Sequence, residues 1–213
     1  MFSDRSDAGQ QLAAHLRHLR GERAVVLGLP RGGVPVAFEV ARELGGPLDV
    51  IVVRKLGVPY QPELGMGAVG EDGVLVLNPE VIESAAVSED ELEDVEKREQ
   101  AEVQRRARRY RGDRPRQPLD GRVAVVVDDG IATGSTARAA CRIARAFGSR
   151  RIVLAVPVAP DGWKDRIGAD ADEFVSVATP MPFYAIGQFY DDFSQTTDSQ
   201  VATLLEQAAA ATR

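Results

Sequence analysis

The sequence predicts an α/β fold: a doubly wound, mostly parallel five-stranded sheet flanked by helices. Three observations carry that expectation. Five short runs, "AVVLGL" (24–29), "LDVIVV" (48–53), "VAVVV" (123–127), "RIVLAV" (151–156) and "EFVSV" (173–177), are mostly apolar at successive positions, as suits strands covered on both faces. Helical patterns, "GVPVAFEVAREL" (33–44) and "TGSTARAACRIARAF" (133–147), separate several of them, and such alternation implies parallel crossovers. Finally, "GLPRGG" and "DDGIATGST" fall at strand ends, where sheets of this kind bind ligands.

In chain order, residues 4–20 read as an amphipathic helix with Leu12, His15, Leu16 and Leu19 at helical spacing. Between the second and third core strands lies an excursion, residues 54–121. Within it "GMGAVGEDGVLVLN" resembles a hairpin turning at Glu71-Asp72-Gly73. Ser88 to Glu91 forms a capping box that opens a helix running to Arg111, before Gly112. From Glu83 to Glu96 there are seven acids and no base, and from Arg105 to Arg116 seven arginines and one acid. That sorting complements the helix macrodipole. A solvated, stabilised helix is the plain reading; a polyphosphate or RNA contact is the alternative.

Composition sets the outer bounds. Of 213 residues, 44% are hydrophobic and 27% charged, as in a globular protein with a sizeable core. The net charge of −6 argues against a broad nucleic-acid surface, which is ordinarily basic. No apolar stretch approaches the roughly 18 residues of a membrane span, and "MFSDRSDAGQQ" has no hydrophobic leader region. The single Cys141 offers no disulfide framework, so a cytoplasmic location is expected. Its neighbours Ala140, Ile143, Ala144 and Phe147 favour a packed helix thiol over a nucleophile. His15 and His18 read as structural, without acid partners. Trp163 reads either as a core-edge residue or as the border of a pocket.

Two phosphate-binding patterns fail on inspection. Gly28 and Gly33 have Walker-type spacing, but Val34-Pro35 stands where Lys and Ser/Thr are needed. Gly65, Gly67 and Gly70 form G-x-G-x-x-G, yet a strand-like run follows where a helix is needed. What remains at 30–33 is Arg31 before two glycines. Gly32 and Gly33 let the backbone approach a ligand, and Arg31 offers a charged fork to phosphate oxygens; a tight turn with a surface arginine is the plain alternative. "VVVDDGIATGST" is more specific. Asp128 and Asp129 at a strand tip can accept hydrogen bonds from ribose hydroxyls or hold Mg²⁺ through water. Thr133, Gly134, Ser135 and Thr136 then open a helix whose N–H groups and hydroxyls suit an anion. A diol site beside a monophosphate site describes a ribose 5-phosphate.

These residues resemble the type I phosphoribosyltransferase family. "VVVDDGIATGST" looks like its 5-phosphoribosyl pyrophosphate (PRPP) motif, "LPRGG" its pyrophosphate loop, and "VVRKLG" (52–57) the strand entering its flexible loop. "PFYAIGQFYDDFSQ" (182–195) is similar to its base-holding hood. The nearest subgroup is bacterial, of unassigned base specificity. The resemblance implies one domain over residues 1–213: a core of about 22–57 and 121–178, an insertion of about 58–120, and a small C-terminal hood of about 157–195. It implies that Asp128 and Asp129 hold the ribose and that Ile131, Ala132, Thr133, Gly134, Ser135 and Thr136 hold the 5-phosphate. Arg31, Gly32 and Gly33 would face pyrophosphate beside a cis Pro30–Arg31 peptide. Arg54 and Lys55 would act with the two aspartates in catalysis, Tyr184 would stack on the base, and Asp191 would join Asp128 and Asp129 near Mg²⁺. Residues 55–75, loop-like and glycine-bearing, are expected to order only with PRPP and Mg²⁺.

The implied reaction transfers the 5-phosphoribosyl group of PRPP to a nitrogen acceptor, a nucleobase, in nucleotide salvage. The partners are then PRPP and that acceptor, with no membrane, nucleic acid disfavoured and a homodimer as a candidate assembly. Relatives using hypoxanthine or guanine carry an acid where Ala132 stands, and a lysine beyond the next strand that "PVAPDG" (157–162) lacks. Lys164 comes only further on. A 6-oxopurine acceptor is therefore not expected. One rival is a PRPP-sensing regulator that binds RNA or DNA through the arginine-rich helix end. A weaker one is a ribose-phosphate hydrolase or phosphotransferase using Asp191 and Asp192 as metal ligands.

Overall fold

A computed structural model describes residues 1–211. Its main sheet has five strands: β1 (Ala24–Gly28), β2 (Leu48–Val50), β6 (Val123–Val127), β7 (Arg151–Val158) and β8 (Glu173–Ala178), in the order β2-β1-β6-β7-β8. All pairs are parallel. A second, antiparallel sheet comprises β3 (Arg54–Val58), β4 (Gln61–Val69) and β5 (Leu75–Leu77). The helices are α1 (Arg5–His15), α2 (Gly33–Leu44), α3 (Pro79–Ser84), α4 (Glu89–Arg111), α5 (Ser135–Ala146), α6 (Trp163–Ile167) and α7 (Asp198–Ala211).

The apolar runs are strands because both faces are covered. Val123, Val125 and Val127 point to one core with Val26, Val153 and residues of α1, α2 and α7, including Leu12, Val36 and Val201. Ala124 and Val126 point to the other, with Val25, Leu154 and the α5 residues Ala137, Ala140, Cys141 and Ile143. Burying each such Val, Leu or Ile contributes about 1.5–3 kcal/mol. Cys141 is buried in this second core, which pushes its thiol up to about 12. Trp163 is also buried there, edge-on to Phe174, and so belongs to the core.

The first helix is shorter than its sequence pattern. It ends at His15, and a 3₁₀ turn at Arg17–Leu19 continues the burial of Leu16 and Leu19. His18 does have an acid partner, with Nε2 lying 2.7 Å from Glu173. Residues 55–75 are not loop-like either: they form most of the second sheet. Their glycines serve close approach. A Cβ on Gly57 would lie 2.4 Å from the Pro62 carbonyl oxygen, and one on Gly67 2.6 Å from that of Val76.

The hairpin turn at Glu71–Gly73 and the Ser88–Glu91 capping box are both present. The arginine-rich end of α4 is largely engaged by protein groups. Arg111 is buried, with Nε 2.9 Å from Asp49 and Nη1 2.5 Å from Glu71. Arg105 and Arg106 pair with Glu102, holding its carboxyl down to about 2. Arg109 pairs with Asp198. Arg116 meets Asp72 and stacks over Phe147. Among the described residues, no helix is long and apolar enough to cross a membrane.

Candidate ligand site at the carboxyl edge of the sheet

β6 delivers two carboxylates to the sheet's carboxyl edge. Asp128 Oδ1 accepts the Asp129 N–H at 2.9 Å, fixing the turn between them. The Tyr190 hydroxyl donates to the Asp129 carbonyl at 2.6 Å. Arg5 Nε donates to Asp129 Oδ2 at 2.8 Å, in an ion pair whose side chains are only 12% and 13% exposed. The chain then passes through Ile131, whose side chain is buried and whose N–H donates to the Val158 carbonyl. Ala132 and Thr133 are exposed. Gly134, at φ 83°, turns the backbone into α5. The hydroxyls of Thr133, Ser135 and Thr136 thus surround a helix start with no side-chain cap, leaving N–H groups suited to an anion.

The 29–33 loop packs directly on this turn. Leu29 N–H donates to the Val127 carbonyl, Gly33 N–H donates to that of Leu29, and the Pro30–Arg31 peptide is cis. A Cβ on Gly32 would lie 2.0 Å from Asp129 Oδ2, and one on Gly33 2.6 Å from the Val127 carbonyl oxygen. Both glycines are there because the loop has no room for a side chain. Arg31 is partly exposed, 3.9 Å from Asp198.

The remaining expected residues sit around this centre in different settings. Arg54 is held by Glu99 at 2.8 Å. Lys55 Nζ lies 3.1 Å from the Glu63 carbonyl oxygen and 3.4 Å from its carboxylate. A cleft of about 390 Å³ between the second sheet and α5 brings Lys55 together with Thr133 and Ser135. Arg138 and Arg142 also line it, both paired with Asp170. Tyr184 is 84% exposed, on a turn braced by Gln188, whose Oε1 accepts from the Tyr184 and Ala185 N–H groups. Asp191 is exposed and donates its N–H to the Phe2 carbonyl. Among the described residues no three His, Cys, Asp or Glu side chains gather as a metal cage.

Electrostatically the paired carboxylates are costly. Burial, and then the neighbouring Asp129, push Asp128 well above the usual carboxylate range. Burial also raises Asp129, with Arg5 pulling it back. Burial first, then Asp129, raises the Tyr190 phenol, so it stays a neutral donor. The arrangement is a pair of buried carboxyls, one of them offset by Arg5, beside a helix start whose N–H groups suit an anion.

Arg5, Tyr190, Asp198, Arg138 and Arg142 are absent from the sequence-derived set. Arg5 and Asp129 lie 124 residues apart, so no local pattern joins them. Tyr190 stands in "FYDDF", where an aromatic beside two acids is the one local signal. Asp198 looks like an ordinary acid in the first turn of α7, and Arg138 and Arg142 like the ordinary polar face of α5.

Comparison with known proteins agrees with this architecture. The chain is 57% identical over 208 residues to a Mycobacterium tuberculosis protein provisionally named a phosphoribosyl transferase, covering 98% of this chain and 47% of that one. The chain thus spans about half the length of the curated relatives it matches. The crystal structure of the TT1426 protein from Thermus thermophilus superimposes with a TM-score of 0.89 at 46% identity, covering 97% of this chain and 98% of that one. A Neisseria gonorrhoeae hypothetical protein, solved with bound ppGpp, shares the fold at a TM-score of 0.52 and 13% identity, over 97% and 94% of the chains. The phosphoribosyl transferase domain profile matches residues 5–189, and the chain belongs to that family.

Proposed function

We propose that the protein transfers the 5-phosphoribosyl group of PRPP to a nitrogen acceptor, a nucleobase or similar heterocycle, releasing pyrophosphate. The observation that carries this reading is the packing of the Arg31–Gly33 loop onto Asp128 and Asp129, beside the hydroxyl-rich start of α5. Three subsites then adjoin: N–H groups for one phosphate, carboxylates for a diol, and a glycine-arginine loop for a second anion.

In this reading Ile131 to Thr136 hold the 5-phosphate, and Asp128 and Asp129 accept hydrogen bonds from the ribose hydroxyls. Arg31, Gly32 and Gly33 face the pyrophosphate. The acceptor nitrogen forms a bond to C1 as the C1–O bond breaks, with inversion; pyrophosphate leaves with that electron pair, and the proton of the nitrogen passes to the departing pyrophosphate or to water. Positive charge builds on the ribose as pyrophosphate leaves, and the two carboxylates fix the ring close to it. Arg54 and Lys55 exchange their present partners, Glu99 and Glu63, for the departing pyrophosphate. Rate enhancement comes from positioning and from neutralising the leaving group. Tyr184 supplies a stacking face for the acceptor.

Magnesium suits this donor set. The carboxylates of Asp128 and Asp129 are hard oxygen ligands, and Mg²⁺ is ordinarily held by one or two carboxylates plus substrate phosphates. Asp191 is a third, more peripheral candidate. When bound, the ion offsets the negative charge of the pyrophosphate. The reading also accounts for the costly carboxylate pair, whose repulsion a cation or a diol relieves.

The test is a screen of nucleobases and related heterocycles with PRPP and Mg²⁺, measuring pyrophosphate release. Acceptor-dependent release supports the proposal. Tight PRPP binding with no release for any acceptor would favour a sensor over an enzyme.

A further inference from the structure

The geometry points to Arg5 as a positioning residue for PRPP: it holds the Asp129 carboxylate in the orientation that receives the ribose. This rests on the proposed PRPP site. Arg5 begins α1, far in sequence from every motif discussed above. Its Nε reaches Asp129 Oδ2 at 2.8 Å, and its Nη1 donates to the Ser194 carbonyl at 2.7 Å. The guanidinium carbon lies 4.0 Å from the centroid of the Phe193 ring and 6.0 Å from that of Tyr190. One planar group therefore spans α1, the tip of β6 and the segment after Tyr190.

Each contact limits a different freedom. The stack on Phe193 fixes the plane of the guanidinium, and the Ser194 bond fixes its rotation within that plane. Asp129 then takes its orientation at Oδ2, which Arg5 bonds and against which Gly32 packs with no space for a Cβ. Tyr190, which bonds the Asp129 backbone, also packs on Phe2, and Phe2 exchanges backbone hydrogen bonds with Phe189 and Asp191. Residues 2–5 therefore tie the 189–194 segment to the carboxylate pair. With one Asp129 oxygen taken by Arg5, the other is left to accept from a ribose hydroxyl. Lysine lacks the planar fork and cannot make both bonds while stacked.

The test is a double-mutant cycle on PRPP affinity with Mg²⁺, measured by titration calorimetry on wild type, Arg5→Ala, Asp129→Asn and the double variant. Arg5→Ala should weaken PRPP by about tenfold, the effect of one charged hydrogen bond. The double variant should bind no more weakly than Asp129→Asn alone, because Arg5 acts through that carboxylate. Arg5→Lys should fall between wild type and Arg5→Ala, and it takes the place of the alanine variant in the cycle if that variant does not fold. Effects that multiply in the double variant, or unchanged affinity in Arg5→Ala, would overturn the inference while leaving the PRPP site standing. A wild-type protein that does not bind PRPP would overturn both.

Discussion

Gly32 stands so close to Asp129 that a Cβ on it would lie 2.0 Å from Oδ2. The loop after β1 and the tip of β6 are thus one fitted surface, and the carboxylate can sit where it does only because residue 32 has no side chain. The neighbouring Gly33 is equally confined, but against backbone: the Val127 carbonyl oxygen at 2.6 Å and Asp128 Cα at 2.8 Å.

The two glycines should therefore fail differently. Gly32→Ala displaces a side-chain carboxylate and should weaken PRPP by about tenfold or more with little change in melting temperature. Gly33→Ala presses on backbone and should cost about 1–3 kcal/mol of stability, or roughly 2–4 °C per kcal/mol for a chain of this size. Calorimetric binding and thermal melts on both variants check this. Equal stability losses would contradict it.

Asp128 should exchange stability for function. Its folded pKa lies above its unfolded value, so between the two the folded state binds more protons than the unfolded. The associated stability is present below the unfolded value and is lost as pH rises through the raised one. Asp128→Asn should remove that slope and raise the melting temperature at neutral pH by a few degrees, equivalent to about 1 kcal/mol, while PRPP binding falls. Thermal melts from about pH 4 to pH 8 provide the readout. A variant less stable than wild type at neutral pH would count against the assignment.

Tyr184 is almost fully exposed, so its removal should leave stability unchanged. Tyr184→Ala should raise the KM for the acceptor with little effect on PRPP, because a flat ring offers stacking area at low entropic cost. The pocket should also not favour 6-oxopurines, since Ala132 cannot accept a hydrogen bond through its side chain and Lys164 lies exposed on α6. Sites that do bond a substrate group can discriminate by roughly 10⁴–10⁵. Steady-state kinetics across bases decide both points. Strong selectivity for guanine or hypoxanthine would contradict the second.

The arginines of α4 divide by burial. Arg111→Ala leaves Asp49 and Glu71 as unpaired buried charges and should cost about 3–5 kcal/mol. Arg105→Ala, at an exposed pair with Glu102, should stay within about 0.5 kcal/mol. Chemical denaturation measures both. If these arginines form a nucleic-acid surface instead, the double variant Arg105→Ala/Arg106→Ala should abolish RNA retention on a column with a steep salt dependence; no effect is expected here.

Much of the fold was legible because strands buried on both faces leave uninterrupted apolar runs, as at 123–127, and because capping residues such as Ser88 act on their own neighbours. The second sheet was half legible. Its turn at Glu71–Gly73 could be read locally, but glycines such as Gly57 and Gly67, which imply looseness in sequence, here serve tight strand contacts. The proposed centre at Asp128, Asp129 and residues 131–136 was legible because one short segment carries it. Arg5, Asp198 and Arg111 were not, since each depends on a partner that only folding brings near. Arg111 in particular reads as surface charge until Asp49 and Glu71 are seen on either side of it.

The central claim, a PRPP site built on Asp128 and Asp129, is tested most directly by titrating PRPP with Mg²⁺ into wild type and Asp129→Asn. A hydrogen bond to a charged group contributes about 1.5–3 kcal/mol, so the variant should bind about tenfold to a hundredfold more weakly with its fold intact. Identical affinity in the two proteins, or no PRPP binding by the wild type, would contradict the account.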